Sequence, residues 1–286
     1  MIVDAQLHEP AVSLPWAEAS RETRWDVMVE LQLGYMRAVG VDFAVLHPSE
    51  FAWGAYAAAR HPSRFGLVGM VGAPRFGGLD PRSPGFTDAL ARMCVVPGTR
   101  GLRVVVTDAD LTVMEPAFAA AQEHDLPLFM LAGFGLSQVS EVAVRCPQIT
   151  VVVDQIGLAQ PPGKREEPPF AALPQVLELA KHPNVAIKLT GAPTLSQESY
   201  PYRDLWPHLR RLVDAFGHRR VMWGSDISRI IGQVGFTRMF PRENIDRYGA
   251  YHSYAEALMF VRETESLSAE EKRWLLGETA RELLLL

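Results

Sequence analysis

Eight short apolar segments alternate along this chain with stretches that have the spacing of amphipathic helices. The segments comprise residues 2–7, 42–46, 65–71, 101–106, 126–131, 150–153, 185–189 and 220–223. Two of them contain unbroken runs of valine, at residues 104–106 and 151–153. Such runs are typical of strands that are buried on both faces of a parallel sheet. The alternation predicts an α/β fold, a (β/α)8 TIM barrel. A doubly wound open sheet is the alternative, but it needs a glycine-rich phosphate loop after an early strand, and the sequence has none.

Local signals predict where the first and last helices begin. Ser20 is a good N-cap and Gly40 a good C-terminal stop for the first helix, and Ser268 with Glu271 has the spacing of a capping box. The apolar stripe of the first helix consists of Trp25, Met28, Val29 and Met36.

We expect one domain over residues 1–286, with loop insertions at about residues 157–169 and 227–250. Strand and helix segments continue to alternate across both insertions, which favours loops over an interdomain linker. Both insertions follow strands, so in a barrel they lie over the carboxyl-end face, where active sites are built.

Composition excludes several classes of protein. The net charge of -5 argues against a nucleic-acid binder. Cys94 and Cys146 are too few and too far apart for a disulfide framework or a cysteine zinc site, which favours a reducing cytoplasm. No apolar run approaches the ~20 residues that a membrane helix needs. Asp4 lies where the apolar segment of a signal peptide would be, so we expect no signal peptide. We therefore expect a cytoplasmic enzyme that binds a small molecule, with neither nucleic acid nor membrane as a partner.

Polar side chains occur at or just past the ends of the predicted strands. They are Gln6, His8, His47, Arg103, Gln155, Lys188, Thr190 and Asp226. Burying polar groups is costly unless they have partners or a purpose. Because the carboxyl ends of barrel strands converge, these residues predict one pocket.

Several ordered motifs along nearly the whole chain resemble the amidohydrolase superfamily, in the branch often called amidohydrolase-2. They are residues 3–8 (VDAQLH), 101–103 (GLR), 154–157 (DQIG), 186–191 (AIKLTG), 223–226 (WGSD) and 276–280 (LGETA). The resemblance implies the same eightfold barrel. It also implies an enzyme related to sugar lactonases, pyrone-dicarboxylate lactonase and zinc decarboxylases.

The resemblance also implies where a metal would bind. The paired histidines of the first strand fall on Gln6 and His8, and the histidine of the fifth strand on Leu131. The histidine of the sixth strand falls on Gln155 and the aspartate of the eighth on Asp226. Leucine cannot ligate a metal and glutamine offers only a neutral oxygen, whereas zinc sites use Cys, His and carboxylates. We therefore expect no catalytic metal and no other cofactor.

The expected catalytic residues are Asp226, as general base toward water, and His8, which donates a hydrogen bond to a carbonyl or shuttles a proton. A helix N-cap is the simpler interpretation of Asp226, and a structural histidine that of His8. Gln6 and Gln155 either help to polarise a carbonyl or fill the space of lost ligands. Ser225 invites a serine-hydrolase interpretation, but it lacks the Gly-x-Ser-x-Gly elbow.

Further residues are expected to bind the substrate. Arg103 either holds a substrate carboxylate or forms a structural pair with Asp108 or Asp110, and we favour the pair. Lys188 has the same two interpretations, a structural ion pair or a site for an anion, and less readily acts as an amine nucleophile. His47 is a loop candidate for substrate contact.

The loop after the eighth strand supplies candidates for a lid, and aromatic residues there and after the second strand are candidates for apolar walls. His252, Tyr254 and Arg229 are lid candidates, although a solvated loop is the simpler interpretation for each. Candidates for apolar walls are Trp53, Phe236 and Phe240, which core or surface packing explains equally well.

The expected function is metal-independent hydrolysis of a cyclic ester, or a related C–O or C–N bond, in a small carboxylated or aromatic metabolite. A non-oxidative decarboxylase or other lyase on the same barrel is the alternative, and a catalytically silent binding barrel is a third. The resemblance favours a homodimer, although no residue locates an interface.

Overall fold

The computed structural model describes residues 1–105, 111–131, 135–160, 165–230 and 252–286, and it confirms the predicted (β/α)8 TIM barrel. Its eight parallel strands pair in chain order. They are β1 (Val3–Leu7), β2 (Phe43–Leu46), β3 (Phe65–Val71), β4 (Thr99–Val104), β5 (Leu128–Met130), β6 (Val151–Val153), β7 (Val185–Lys188) and β8 (Val221–Met222). Two backbone hydrogen bonds, from Ala5 N to Trp223 O at 3.2 Å and from Asp226 N to Gln6 O at 3.0 Å, join β1 to the segment after β8.

Helices cover the outside of the sheet. In the described residues they are α1 (Arg21–Val39), α2 (Phe51–Arg60), α3 (Phe86–Cys94), α4 (Glu115–Glu123), α5 (Leu136–Arg145), α6 (Leu173–Leu177), α7 (Trp206–Phe216), α8 (Ile227–Ile230), α9 (Tyr254–Arg262), α10 (Ala269–Arg273) and α11 (Thr279–Leu283). A π-helical turn at Trp274–Glu278 joins the last two. Among the helices of the described segments, none has the length and apolar character needed to cross a membrane.

The predicted helix signals are confirmed. The Ser20 hydroxyl accepts a hydrogen bond from Thr23 N at 3.2 Å, and Gly40 ends α1 with a left-handed φ of 80°. Ser268 and Glu271 form the capping box of α10. The four stripe residues of α1 are buried.

Two apolar clusters divide the core. Alternate strand residues fill the barrel interior, and Ala280 and Leu284 pack against them. The interior strand residues are Val3, Ala5, Phe43, Val45, Val68, Phe129, Val152, Ala186 and Met222. The opposite strand faces pack against the helices in the larger cluster. Because Arg103 lies between Leu102 and Val104 of that outer cluster, its side chain projects into the barrel, and the same alternation beside Ile187 directs Lys188 inward.

Two of the candidate lid and wall residues have other places in the fold. Tyr254 is the first residue of α9 and is buried, so its interpretation as part of a solvated loop is wrong. The cause is a second capping box, formed by Ser253 and Glu256, which starts the helix there. Trp53 is fully buried in α2, within the outer cluster.

Other loop predictions are not tested by the structure. Phe236, Phe240 and most of the insertion at residues 227–250 lie outside the described residues, as do residues 161–164 of the other insertion.

Candidate active site

A histidine and an aspartate meet where β8 adjoins β1. His8 follows β1 and Asp226 follows β8, and His8 Nε2 lies 3.0 Å from Asp226 Oδ1. The side chain of Asp226 is 0% exposed and that of His8 is 4% exposed. The other ring nitrogen, His8 Nδ1, lies 2.5 Å from the backbone oxygen of His47. A carbonyl oxygen only accepts hydrogen bonds, so Nδ1 carries a proton. The Nε2 atom is therefore the ring nitrogen that faces the Asp226 carboxylate, at ion-pair distance.

Lys188, at the end of β7, fixes the orientation of the Gln6 amide. The ammonium group is fully buried, donates to Gln6 Oε1 at 2.6 Å and pairs with Asp154 Oδ1 at 2.7 Å. Because an ammonium group can only donate, the amide oxygen of Gln6 must face it. The amide nitrogen, Gln6 Nε2, is left buried without a hydrogen-bond partner among the residues that the structure describes. An unsatisfied buried donor costs about 1–3 kcal/mol, so Nε2 is a ready donor for a ligand oxygen.

Asp154 pairs with two cations inside the barrel. Its Oδ2 accepts from Arg103 Nε at 2.7 Å while Oδ1 contacts Lys188. Burial acts to raise the pKa of Asp154, but Lys188 and Arg103 outweigh it and the pKa is lowered. Burial lowers the pKa of Lys188, Arg103 lowers it further, and Asp154 opposes the shift.

The predicted structural pair of Arg103 has a different partner. Asp108 and Asp110 lie outside the described residues, and the carboxylate that Arg103 contacts is Asp154. The inward directions of β4 and β6 bring the two together although 51 residues separate them in the chain.

His47 is a neutral ring beside this network. It follows β2, and its Nε2 lies 3.1 Å from Ala5 O. Its ring packs edge-on against Phe129, with 5.2 Å between centroids. Burial lowers the pKa of His47 well below its ordinary value, and the charges of Lys188 and Arg103 add to the shift. The neutral ring therefore donates from Nε2 to Ala5 O and carries a lone pair at Nδ1.

Gln155 approaches Asp226 from the sixth strand. Its Nε2 lies 3.5 Å from Asp226 Oδ2, and its backbone has a left-handed φ of 53°. Gln160, which sequence reasoning missed, donates to Gln155 O at 2.9 Å and to Thr190 O at 3.0 Å, and so holds this turn against the end of β7. Gln6, Gln155, Lys188 and Asp226 thus lie close together past the strand ends, and their roles in a substrate site stay predictions.

His252 is buried just before α9, and its part in substrate binding stays a prediction.

The donor set does not fit the divalent-metal site that the resemblance implies. Gln6 Oε1 is occupied by the Lys188 ammonium, Gln155 presents an amide nitrogen to Asp226, and the Leu131 side chain has no ligating atom. Over the described ranges, no group of three or more His, Cys, Asp or Glu side chains is arranged to hold a metal ion. His8 and Asp226 alone fall short of the three or more protein ligands of typical zinc sites.

Two buried residues that sequence reasoning did not assign complete the site. Asp4 accepts hydrogen bonds from the backbone N–H groups of Gln6 and Ser225, and Ser228 Oγ accepts from His8 N at 2.8 Å. Burial raises the pKa of Asp4 to about 6, against hydrogen bonds from Ser225 and Gln6 that lower it. An acidic residue inside an apolar strand was the available signal for Asp4; nothing in the sequence distinguishes Ser228.

Known proteins resemble this chain in sequence. An L-fucono-1,5-lactonase from Burkholderia ambifaria is 34% identical over 173 residues, which cover 56% of this chain and 57% of the relative. A 4-sulfomuconolactone hydrolase from Hydrogenophaga intermedia is 34% identical over 95 residues, which cover 32% of this chain and 30% of the relative. The chain thus matches less than two thirds of the length of these curated relatives.

A solved structure and a family model extend over the full fold. An amidohydrolase from Burkholderia multivorans, solved with bound zinc, superposes with a TM-score of 0.68 at 20% identity and covers 100% of this chain and 99% of that one. At this identity the likeness concerns the fold. The family model described as "Amidohydrolase" matches residues 3–286. The chain therefore belongs to the amidohydrolase family, in the amidohydrolase-2 branch.

Proposed function

We propose that this protein hydrolyses a lactone, the cyclic ester of a small carboxylated or aromatic metabolite. The observation that carries the proposal is the buried contact between His8 Nε2 and Asp226 Oδ1 at 3.0 Å. This contact supports the proposal because a carboxylate and an imidazole then lie together past the carboxyl ends of the strands, where barrel enzymes carry out their chemistry. The two curated relatives, both named for lactone hydrolysis, support the same reaction class.

In the proposed reaction, Asp226 takes a proton from a water molecule whose oxygen attacks the ester carbonyl carbon. The Gln6 Nε2 group donates a hydrogen bond to the oxyanion that forms, while His8 serves Asp226 as its proton-transfer partner. The ring C–O bond then breaks, and the proton held by the His8–Asp226 pair moves to the departing alkoxide oxygen. The product is the open hydroxy acid, and the pair returns to its starting protonation state.

We propose that the reaction needs no divalent metal. The support is the chemistry of the donor set, in which the Lys188 ammonium donates to the oxygen of Gln6 and pairs with Asp154. A Lewis acid supplies several kcal/mol of transition-state stabilisation, so its replacement by neutral donors favours an ester with a good leaving group over an amide.

Arg103 is the candidate for binding an anionic part of the substrate. In the described part of the chain, its contact with Asp154 uses Nε, so its two terminal nitrogens can hold a carboxylate bidentately. Lys188 has its contacts inside the network and supports Gln6 rather than the substrate. His47 and His252 complete the proposed substrate contacts. A cytoplasmic homodimer is also part of the proposal, and light scattering tests the assembly.

The experiment is a hydrolysis assay of the purified protein on sugar lactones and on unsaturated carboxylated lactones. The release of protons by the acid product measures the rate. Asp226→Asn is the paired variant. We expect turnover by the wild type and a loss of about 10²–10⁴-fold in kcat for the variant. Release of carbon dioxide from aromatic acids, without lactone opening, would instead identify a decarboxylase. Ligand binding with no turnover would identify a silent barrel.

A further inference from the structure

The carboxylate of Asp4 joins the two segments that carry the His8–Asp226 pair. Its Oδ1 accepts from Gln6 N at 3.0 Å and from Ser225 N at 2.9 Å, and its Oδ2 accepts from the Ser225 hydroxyl at 2.5 Å. One fully buried side chain therefore ties β1 to the turn after β8.

These bonds also fix the backbone on both sides of Asp226. The Ser225 hydroxyl, held by Asp4, accepts from Ile227 N at 3.2 Å, so residues on both sides of Asp226 depend on the same carboxylate. Asp226 itself has a left-handed φ of 52°, which costs a non-glycine residue on the order of 1–3 kcal/mol. A backbone held in such a conformation needs surrounding bonds that fix it. The bonds that the structure provides are Asp226 N to Gln6 O and the links through Asp4.

The charge of Asp4 is costly to the fold. It is fully buried, and the hydrogen bonds that it accepts do not offset its desolvation, since its pKa stays raised. A neutral side chain of the same shape would carry no such penalty. A carboxylate at this position therefore points to a role other than stability.

We propose that Asp4 is a positioning residue of the active site, which fixes the junction of β1 with the turn after β8 so that the Asp226 carboxylate faces His8 Nε2. Asp4 acts through Ser225 and does not touch the reacting atoms. The kinetic test of this proposal rests on the proposed function. A second, spectroscopic test depends on the geometry alone.

The test compares Asp4→Asn with Asp42→Asn. The asparagine oxygen still accepts two backbone N–H groups, but its Nδ2 group cannot accept the Ser225 hydroxyl proton. Asp42 is the matched control, because its carboxylate accepts Ile2 N at 2.7 Å at the opposite end of β1. Ser225→Ala is a second variant that removes the same link without touching Asp4.

We expect Asp4→Asn to lower kcat by about 100-fold with KM within about threefold of wild type, because misplacement by about 1 Å costs that much. Its unfolding midpoint at pH 7 should equal or exceed that of wild type. Ser225→Ala should lower kcat in the same direction, and Asp42→Asn should leave kcat unchanged. A kcat within about threefold of wild type for Asp4→Asn, or a loss matched by a lower midpoint, would overturn the proposal.

The second readout is the pair of ring-nitrogen NMR shifts of His8, assigned with a His8→Gln variant. They should change in Asp4→Asn and Ser225→Ala and not in Asp42→Asn, because the carboxylate near Nε2 moves. If the wild type opens no lactone, the proposed function fails, and these shifts alone decide the inference. Unchanged shifts in Asp4→Asn then overturn it.

Discussion

The buried ammonium group of Lys188 lies 2.6 Å from the side-chain oxygen of Gln6 and 2.7 Å from Asp154 Oδ1. This arrangement puts a cation of the protein itself inside the barrel, paired with a carboxylate. It also determines that the Gln6 amide oxygen faces Lys188, which leaves the amide nitrogen as the donor for another group. Two predictions concern this relationship directly.

Replacing Gln6 by Glu should preserve the contact with Lys188 and remove the N–H donor. We expect kcat to fall by about 10²–10³-fold, as for loss of one oxyanion donor, with a smaller change in KM. Gln122→Glu on the exposed face of α4 is the matched control and should have no effect. Unchanged kcat in steady-state assays of Gln6→Glu would remove the amide from the mechanism.

Replacing Lys188 by Met should destabilise the fold, because Asp154 would keep only Arg103 as a partner. Removing one member of a buried ion pair costs about 3–5 kcal/mol, and the remaining arginine reduces this to about 2–3 kcal/mol. Asp154→Asn in the same background should recover part of the loss, giving a coupling energy above about 1 kcal/mol. Urea unfolding of the two single variants and the double variant measures it, and additive effects would show that the pair is energetically independent.

Because the pKa of Asp4 is raised to about 6, ionising this carboxyl group should lower the free energy of unfolding as the pH rises. A carboxyl group whose folded pKa exceeds its unfolded value stabilises most below the unfolded pKa of 3.8 and loses that contribution as pH rises through about 6. The Tyr254 phenol, whose pKa is raised well above 10.0 by burial and by Asp4, does not titrate in this window. The free energy of unfolding of Asp4→Asn minus that of wild type should therefore increase between pH 4 and pH 7, by up to about 3 kcal/mol. A constant difference would show that Asp4 is not desolvated.

For His47 we expect a pH dependence of the free energy of unfolding with the opposite sign. Its folded pKa lies well below the ordinary 6.5, so below that pH the unfolded chain binds a proton that the folded protein does not. The stability that His47 contributes is present above pH 6.5 and falls by up to about 1.4 kcal/mol per pH unit below it. Because glutamine does not titrate, His47→Gln should reduce this slope by the amount that corresponds to one bound proton. Chemical denaturation between pH 5 and pH 7 compares the two proteins, and equal slopes would contradict a neutral buried ring.

Much of the fold could be predicted from the sequence because its signals are local. Unbroken β-branched runs such as Val151–Val153 marked buried strands, and Ser20 and Ser268 marked helix starts, since caps depend on residues three positions away. The residues at the strand ends were also identified, because one face of a barrel collects them.

The pairings inside the pocket could not be predicted, because they depend on side-chain directions across the barrel. Arg103 contacts Asp154, which is 51 residues away in the sequence, and Lys188 contacts Gln6, which is 182 residues away. No local pattern indicates which nitrogen or oxygen of an amide faces a cation. The bonds of Asp4 to Ser225 were hidden for the same reason, since they join the two ends of the sheet.

The most direct test of the account is turnover of a lactone by metal-stripped enzyme. Protein dialysed against chelator, with metal content verified below about 0.1 equivalent by mass spectrometry, is assayed beside untreated protein and Asp226→Asn. The account predicts that stripped and untreated enzyme agree within about twofold in kcat, while Asp226→Asn falls by about 10²–10⁴-fold. Activity that disappears with the metal and returns on adding stoichiometric zinc would contradict it.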